Sequence, residues 1–425
     1  MLEKKQFDVA IIGLGYVGIP LAMKFSLAGK SVLGIDVNHK KCQLLNSGHS
    51  TLSHIDDSIF SKILKKGFVA STEHEHLSSC SAIIFCVPTP LDTSRNPDLS
   101  FIKDALKKSA PFMKKGQLIS LESTTYPGTT SELVKPVIES MGLNIGSDIF
   151  LVYSPEREDP GNDIFNISNT PKLLGGITDS CLKKGISVYK NIVETIVPVS
   201  STEVAEMSKL FENIFRMVNI GLVNEMKLIC DAMGLEMNEV VDAASTKPFG
   251  FMPFRPGPGL GGHCIPIDPF YLSWRAKSFG LSSRFIELAG EINIDMPKFI
   301  ISKILSETSE IDKPNKKIKI LFLGLAYKKN VDDLRESPAT IILEMLMMHK
   351  FDISFSDPLI KEYKLKGSSK VLKSVKLTRK EIHENDLIVL LTDHDEFNYD
   401  LIFSNSRKII DTRNKFPRDS KVISA

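Results

Sequence analysis

A glycine-rich turn near the start of the chain constrains the fold more than any other feature. Gly13-Leu-Gly15-Tyr16-Val17-Gly18 follows an apolar, strand-like run and precedes a helical pattern. Glycines at this spacing allow a tight turn, close approach of a pyrophosphate to the backbone, and close packing of the helix, whose N-terminus favours the anion. The turn therefore predicts a β-α-β unit that binds a dinucleotide.

An acidic residue after the next strand candidate indicates which dinucleotide binds. Asp36 ends the apolar run 32–36 and lies eighteen residues after Gly18. A carboxylate here binds both ribose hydroxyls of NAD and repels the 2′-phosphate of NADP, so we expect NAD. Thr89 and Thr124 follow later strand candidates, where ligands of open α/β sheets bind. A turn or a helix cap explains either threonine at least as well.

The chain alternates strand-like and helical segments at both ends, which predicts an α/β fold. Between them lies a long helix, 203–233, and the charged stretch 312–317 reads as a linker. We expect two Rossmann-like α/β domains, the first with a parallel sheet, joined by this central helix and a helical middle region. The predicted strands are 7–13, 31–36, 82–87, 118–122, 149–153, 318–323, 352–356, 387–391 and 408–411.

Composition excludes several classes of partner. The 425 residues contain 53 lysines and arginines against 51 aspartates and glutamates, so no net field favours nucleic acid or an anionic membrane. No apolar run approaches the roughly 18 residues of a membrane-spanning helix, and we expect a cytoplasmic protein. The six cysteines have no zinc-binding spacing, so no metal site is predicted.

The central helix carries two contrasting faces. Lys209 and Asn213 are four residues apart and therefore neighbours on one face. We expect this pair to face a cleft, although for these two residues alone a solvent-exposed pair is the more common arrangement. The opposite face carries an apolar stripe that should anchor the helix, formed by Met207, Phe211, Ile214 and Val218.

A cysteine ends the glycine-rich stretch "GPGLGGHCIPID", residues 257–268. A nucleophilic thiol must be a thiolate, which a nearby ammonium favours, and glycines leave space for a substrate carbon. Cys264 is thus a candidate nucleophile, and Asp268 could return toward it as a base, directly or through water. The alternative is a cysteine packed in the core. His263 reads as a hydrogen-bonding loop residue.

With these motifs in place, the chain resembles the UDP-glucose/GDP-mannose dehydrogenase family over nearly its whole length. The resemblance runs from GLGYVG through "KLFENIFRMVNIGLVNE" and "GPGLGGHCIPIDP" to "GLAYKKNVDDLRESP". It implies an NAD-binding domain at 1–200, a catalytic and dimerising domain at 201–311, and a UDP-sugar-binding domain at 312–425. The protein should therefore be a homodimer or a higher homo-oligomer.

The resemblance also implies the reaction. Members of this family oxidise the C6 alcohol of a nucleotide sugar to a carboxylate and consume two NAD molecules. The product is a precursor for surface polysaccharides. Asp268 would take the hydroxyl proton through a water molecule, while Lys209 and Asn213 would hold the developing oxyanion. Cys264 would trap the aldehyde as a thiohemiacetal and then carry the acyl group as a thioester.

Further site residues carry over by motif. The cofactor-binding set implied by the resemblance is Gly13, Gly15, Tyr16, Val17, Gly18, Asp36, Lys41, Thr89, Thr124 and Arg335. The substrate-binding set is Glu156, Arg157, Glu158, Lys209, Asn213, Phe249, Phe254, Gly261 and Lys328.

Two stretches, "YSPEREDP" and "FGFMPF", are most like the branch of the family that oxidises UDP-N-acetylhexosamines. Ile267 replaces a lysine usual in the UDP-glucose branch, and Pro160 replaces a glutamate thought to aid thioester hydrolysis. Glu156 and Glu158 are both open as substitutes for that glutamate. UDP-N-acetylglucosamine is the expected substrate.

Other readings stay open. UDP-glucose, UDP-N-acetylgalactosamine and UDP-N-acetylmannosamine could undergo the same chemistry. From another class, the chain could be a non-catalytic regulator that binds NAD or a nucleotide sugar. Retention of Lys209, Asn213, Cys264 and Asp268 together argues against that reading.

Overall fold

The computed structural model describes residues 5–52, 55–92, 94–157, 164, 166–262, 264–311 and 317–425. The chain divides into two compact units. The first consists of Met1–Glu212 and Phe270–Ser282, and the second of Asn213–Pro269 and Ser283–Ala425. Each unit contains one large sheet.

The strands confirm the sequence-based prediction, because each predicted strand is present with ends that differ by at most two residues. In chain order the strands of the described residues are β1 Phe7–Ile12, β2 Val32–Ile35, β3 Val69–Ser71, β4 Cys80–Phe85, β5 Leu118–Leu121, β6 Phe150–Tyr153, β7 Lys172–Gly176, β8 Ile196–Val199, β9 Lys319–Leu323, β10 Asp352–Ser356, β11 Glu362–Lys364, β12 Val371–Lys373, β13 Leu387–Leu390, β14 Ile409–Asp411 and β15 Val422–Ser424.

The helices of the described residues cover the segments between the strands. They are α1 Gly18–Leu27, α2 His39–Asn46, α3 Asp57–Lys65, α4 Ser100–Ser109, α5 Lys135–Ser140, α6 Asp179–Tyr189, α7 Thr202–Ala232, α8 Met237–Ser245, α9 Asp268–Lys277, α10 Arg284–Ser309, α11 Pro338–Leu346, α12 Arg379–Glu384 and α13 Tyr399–Asn405. The long central helix is thus confirmed as α7.

The sheet of the first unit has the strand order β3-β2-β1-β4-β5-β6-β7-β8. The strands β1 to β6 are parallel, as predicted, and their interior is apolar on both faces because helices cover both. Ile11 packs into one core and Ile12 into the other. The order reverses between β1 and β4, so the carboxyl ends of these two strands form the crevice where ligands of such sheets bind.

The sequence did not predict that the sheet of the first unit continues beyond β6. The strand β7 pairs antiparallel with β6, and β8 then runs parallel to β7. A parallel neighbour needs a long crossover, usually a helix. No helix occurs among the described residues between Tyr153 and Lys172, so the chain returns in the opposite direction.

The sheet of the second unit has the order β10-β9-β13-β14-β15 and is parallel throughout. Its reversal point lies between β9 and β13. Gly324 follows β9 with a φ of +79°, and a Cβ there would lie 2.4 Å from the carbonyl oxygen of Thr392, which follows β13. A glycine is therefore required where the two strand ends meet. A small antiparallel pair, β11 and β12, completes this unit.

The predicted anchoring of α7 by its apolar stripe is wrong for the first half of the stripe. Met207 is 43% exposed and Phe211 66%, whereas Lys209 and Asn213 are buried. Ile214, from the same stripe, is buried. Periodicity identifies an apolar face but not what covers it. Polar side chains can occupy the buried face because they find hydrogen-bonding partners there.

Candidate active site

The glycine turn of the first unit has the geometry of a dinucleotide cradle. Gly13 has a φ of +96°, and a Cβ there would lie 2.5 Å from the carbonyl oxygen of Cys86, at the end of β4. A Cβ on Gly18 would lie 1.8 Å from the carbonyl oxygen of Gly13. At Gly15 a Cβ would meet nothing within 4 Å, so this backbone borders open space. These residues fit a bound pyrophosphate.

Asp36 is held at the mouth of this turn by three donors. Its Oδ2 accepts from the backbone N–H of Leu14 at 3.0 Å and from Lys41 Nζ at 2.9 Å. Its Oδ1 accepts from the backbone N–H of Asn38 at 2.9 Å. The structure therefore brings together two predicted cofactor residues, Asp36 and Lys41, as an ion pair.

The other predicted cofactor residues of the first unit lie near the same strand ends. Tyr16 and Val17 are half-buried in the glycine turn. Thr89 is buried after β4, and Thr124 is half-buried after β5. Both threonines follow strands at the carboxyl edge of the sheet, which is the edge that the turn occupies.

A buried ionic network follows β5, and no motif in the sequence indicates it. Glu122 Oε2 lies 2.9 Å from Lys172 Nζ on β7, and both side chains are buried. Glu122 Oε1 lies 2.5 Å from the hydroxyl of Tyr189, which also lies 2.8 Å from Ser120 Oγ. Burial raises the pKa of Glu122, and the charge of Lys172 opposes this. The network fixes the strand end that leads into Thr124.

Glu206 on α7 anchors the segment that follows Thr124. Its Oε2 accepts from the backbone N–H of Gly128 at 2.6 Å. Its Oε1 accepts from the backbone N–H of Thr130 at 2.9 Å and from Thr130 Oγ1 at 2.7 Å. Burial raises the pKa of Glu206 to about 7, although these hydrogen bonds lower it. Sequence periodicity gave no sign of this residue, because a glutamate on a helix is usually solvated.

The cysteine loop of the second unit ends in a turn that leads into α9. Cys264 is exposed, and its carbonyl oxygen accepts from the backbone N–H of Asp268 at 2.8 Å. Asp268 is the first residue of α9 and is 1% exposed. The spacing of four residues thus produces the predicted return of the chain.

The structure brings Asn213 and Asp268 together. Asn213 Nδ2 donates to Asp268 Oδ2 at 2.6 Å. Arg216 donates to Asn213 Oδ1 at 3.0 Å. Because the arginine can only donate, it fixes the orientation of the Asn213 amide, with the NH₂ group toward the carboxylate. Lys209 is buried and lies one turn earlier on α7.

The glycines before Cys264 lie against the segment that follows β9. A Cβ on Gly261 would lie 2.6 Å from Tyr327 Cβ, and one on Gly262 would lie 2.7 Å from the Tyr327 ring. The backbone N–H of Gly262 donates to the carbonyl oxygen of Arg335 at 2.9 Å. These two glycines are thus required for close packing. Their predicted second purpose, clearance for a substrate carbon, stays a prediction.

The remaining predicted residues of the second unit lie in different environments. Lys328 is half-buried, and Arg335 pairs with Asp333 at 2.6 Å. Phe249 is 71% exposed. Phe254 packs its ring edge-on against Phe215, with centroids 5.8 Å apart. The two phenylalanines therefore differ in exposure, since Phe254 is half-buried.

In the first unit, Arg157 is held by a carboxylate of α7. Its guanidinium lies 2.6 Å from Glu212 Oε1, and it also donates to the carbonyl oxygen of Pro171 at 2.7 Å. Glu156 is half-buried next to it. Glu158, the alternative to Glu156, lies outside the described residues, as does His263.

Neither a metal-binding cluster nor a membrane-spanning helix occurs among the described residues. No cluster of three or more histidine, cysteine, aspartate or glutamate side chains there could hold a metal ion. Within the same residues, every helix is too short or too polar to cross a bilayer.

Three family models match successive parts of the chain. They describe the NAD binding domain, the central domain and the UDP binding domain of the UDP-glucose/GDP-mannose dehydrogenase family, and they match residues 7–193, 203–295 and 321–418. The sequence is 34% identical over 356 residues to UDP-N-acetyl-D-glucosamine 6-dehydrogenase from Pseudomonas aeruginosa, which covers 83% of each chain.

Two further relatives are similar over a longer span. An NDP-N-acetyl-D-galactosaminuronic acid dehydrogenase from Ralstonia nicotianae is 33% identical over 418 residues, 95% of each chain. The solved structure of a UDP-D-ManNAc dehydrogenase from Pyrococcus horikoshii superimposes with a TM-score of 0.85 at 32% identity, covering 97% of this chain and 96% of that one. The chain belongs to the UDP-glucose/GDP-mannose dehydrogenase family. It is an NAD-dependent nucleotide-sugar dehydrogenase.

Proposed function

We propose that this protein oxidises the C6 hydroxyl of a UDP-N-acetylhexosamine to a carboxylate, with UDP-N-acetylglucosamine as the substrate. The observation that carries this proposal is the turn from Cys264 to Asp268. It places an exposed thiol four residues before a buried carboxylate that Asn213 holds at 2.6 Å. The names of the relatives, which act on N-acetylglucosamine, N-acetylmannosamine or N-acetylgalactosamine derivatives, support an N-acetylhexosamine.

In the first oxidation, Asp268 accepts the proton of the C6 hydroxyl, directly or through a water molecule. Lys209 and the Asn213 amide stabilise the negative charge that develops on the oxygen. The residues Gly13–Gly18 and Asp36 would hold NAD, and two successive NAD molecules would supply the hydride acceptor for the two oxidations. Since Asn213 donates to Asp268, it also holds that carboxylate in its accepting orientation.

In the second oxidation, Cys264 makes the aldehyde oxidisable. Its thiolate adds to C6 and forms a carbon–sulfur bond, while the aldehyde oxygen takes up a proton. The resulting thiohemiacetal again carries a hydrogen on C6, whose removal as hydride, with loss of the hydroxyl proton, gives a thioester. Water then attacks, the carbon–sulfur bond breaks, and carboxylate and thiol are released. Glu156 and Glu158 are the two candidates to assist that attack.

A panel of UDP-sugars tests this proposal. The wild-type protein should form two NADH per uronate and give its highest kcat/KM with UDP-N-acetylglucosamine. Cys264→Ala should form no uronate, because the aldehyde is no longer captured. Cys42→Ala, which changes a buried cysteine outside this turn, is the matched control.

Three outcomes would contradict the proposal in different ways. Uronate formation by Cys264→Ala at near the wild-type rate would overturn the thioester mechanism. A higher kcat/KM with UDP-glucose, UDP-N-acetylgalactosamine or UDP-N-acetylmannosamine would show that this sugar is the substrate instead of UDP-N-acetylglucosamine. Binding of NAD and UDP-sugar without NADH from any member of the panel would favour a non-catalytic regulator.

We further propose the division into an NAD-binding domain at 1–200, a central domain at 201–311 and a UDP-sugar-binding domain at 312–425. Within the last, Lys328 would contact the substrate and Arg335 the cofactor. Large apolar side chains on α7 and α10 are exposed, including Phe211, Leu222 and Phe285, which supports a homodimer through the middle region. Five buried cysteines without a disulfide bond support a reducing compartment, and we propose the cytoplasm; they are Cys42, Cys80, Cys86, Cys181 and Cys230.

A further inference from the structure

The loop that carries Cys264 is attached to α7 at both of its ends. At the start, the backbone N–H of Gly257 donates to Asn224 Oδ1 at 3.0 Å, in a buried environment. At the end, Asn213 holds Asp268 at 2.6 Å. The two asparagines are eleven residues apart, which is three helical turns and about 20°, so they face the same side of α7 about 16.5 Å apart.

A second asparagine fixes the orientation of the Asn224 amide. Asn293 on α10 donates from Nδ2 to the carbonyl oxygens of Ala289 at 2.8 Å and Met217 at 3.2 Å. Its Oδ1 therefore faces Asn224 and accepts from Asn224 Nδ2 at 2.8 Å. Because the NH₂ group of Asn224 points to Asn293, its Oδ1 is the atom left to receive Gly257.

The loop between these anchors has little freedom to absorb a displacement. Gly259 has a φ of +129°, and a Cβ there would lie 3.1 Å from the carbonyl oxygen of Asn293. Gly262 donates to the carbonyl oxygen of Arg335. A shift at Gly257 is therefore transmitted along the loop to Cys264.

We propose that Asn224 and Asn293 are positioning residues for the oxidation: they set where the loop begins and thereby where Cys264 stands relative to Asp268. This rests on the proposed function. Neither residue belongs to the catalytic set, and neither needs to touch the substrate. Displacement of a reacting group by about 1 Å can lower a rate by about a hundredfold, so the effect of losing the anchor should be large.

Two substitutions at one position test this inference. Asn224→Ala removes both hydrogen bonds. Asn224→Ser is the second variant if the alanine variant folds poorly, because its hydroxyl can still form a hydrogen bond without placing a charge in this buried site. Asn219→Ala is the control, since Asn219 lies on the same helix and its amide donates to the carbonyl oxygen of Phe215 in the preceding turn.

We expect Asn224→Ala to lower kcat for uronate formation by about tenfold or more, with the KM for NAD within about twofold of wild type. Hydrogen exchange should accelerate in the backbone of residues 257–264 and stay unchanged in the glycine turn at 13–18. Asn224→Ser should show the same pattern to a smaller degree. Asn219→Ala should match wild type in both measurements.

The inference is overturned if the folded Asn224 variants keep kcat within about twofold of Asn219→Ala. It is also overturned if exchange accelerates equally throughout the chain, since that would show general destabilisation. If the wild-type protein forms no uronate, the proposed function fails instead. Accelerated hydrogen exchange that is confined to the loop in the Asn224 variants would then still show that Asn224 anchors the loop.

Discussion

At the scale of single residues, Glu206 combines a charge with deep burial. Its carboxylate receives three hydrogen bonds from the segment 128–130, yet burial raises its pKa to about 7. Between the unfolded-state value, near 4.5, and about 7, the folded protein therefore holds a proton that the unfolded chain releases. This residue lowers the free energy of unfolding as pH rises through that window.

We predict that Glu206→Gln removes this pH dependence. The free energy of unfolding of the wild type, relative to Glu206→Gln, should fall by about 3 kcal/mol from pH 4.5 to 7.5, because glutamine does not ionise. The neighbouring titratable groups, Glu203, Tyr126, Glu132 and Arg275, are the same in both proteins. Urea unfolding at several pH values measures the difference, and Glu203→Gln is the control. Parallel pH profiles for wild type and Glu206→Gln would contradict the prediction.

At the scale of elements, the Lys172–Glu122 pair connects β7 to the end of β5 across the first sheet. Both charges are removed from water, and each is compensated by the other. Removing one partner leaves an unpaired buried charge, which is far more costly than removing both.

We predict that Lys172→Met lowers the free energy of unfolding by about 3–5 kcal/mol. The double variant Lys172→Met/Glu122→Leu should recover a large part of this loss, because no unpaired charge remains. Urea unfolding of the wild type, Lys172→Met and the double variant measures the three free energies of unfolding. Lys103→Met, which changes a lysine of α4, is the control. Equal stability of the single and double variants would show that the charge pair is not the cause.

At the scale of the whole molecule, the exposed apolar side chains of α7 and of α10 predict self-association. Phe211→Asp should shift the protein from dimer to monomer, because a charge on this face would be buried without a partner in a dimer. Sedimentation velocity measures the change. Met348→Asp, which alters an exposed apolar residue outside the middle region, should leave the oligomeric state unchanged. An unchanged sedimentation coefficient for Phe211→Asp would place the interface elsewhere.

Local sequence patterns determined the strands, the long helix and the main turns of this protein. The glycine turn 13–18, the acid Asp36 and the apolar strands each follow a pattern that a few neighbouring residues express. The same holds for the turn from Cys264 to Asp268. The nine predicted strands and α7 could be predicted for this reason.

Only the tertiary structure decided which polar side chains are buried and what they bind. Glu122 meets Lys172 fifty residues later in the chain, Glu206 meets Gly128, and Asn224 meets Gly257. None of these partners lies within a helical turn or a strand period of the other, so no local pattern can express the contact. The exposure of Phe211 could not be predicted for the same physical reason. Periodicity gives the direction of an apolar side chain, and distant residues determine whether anything covers it.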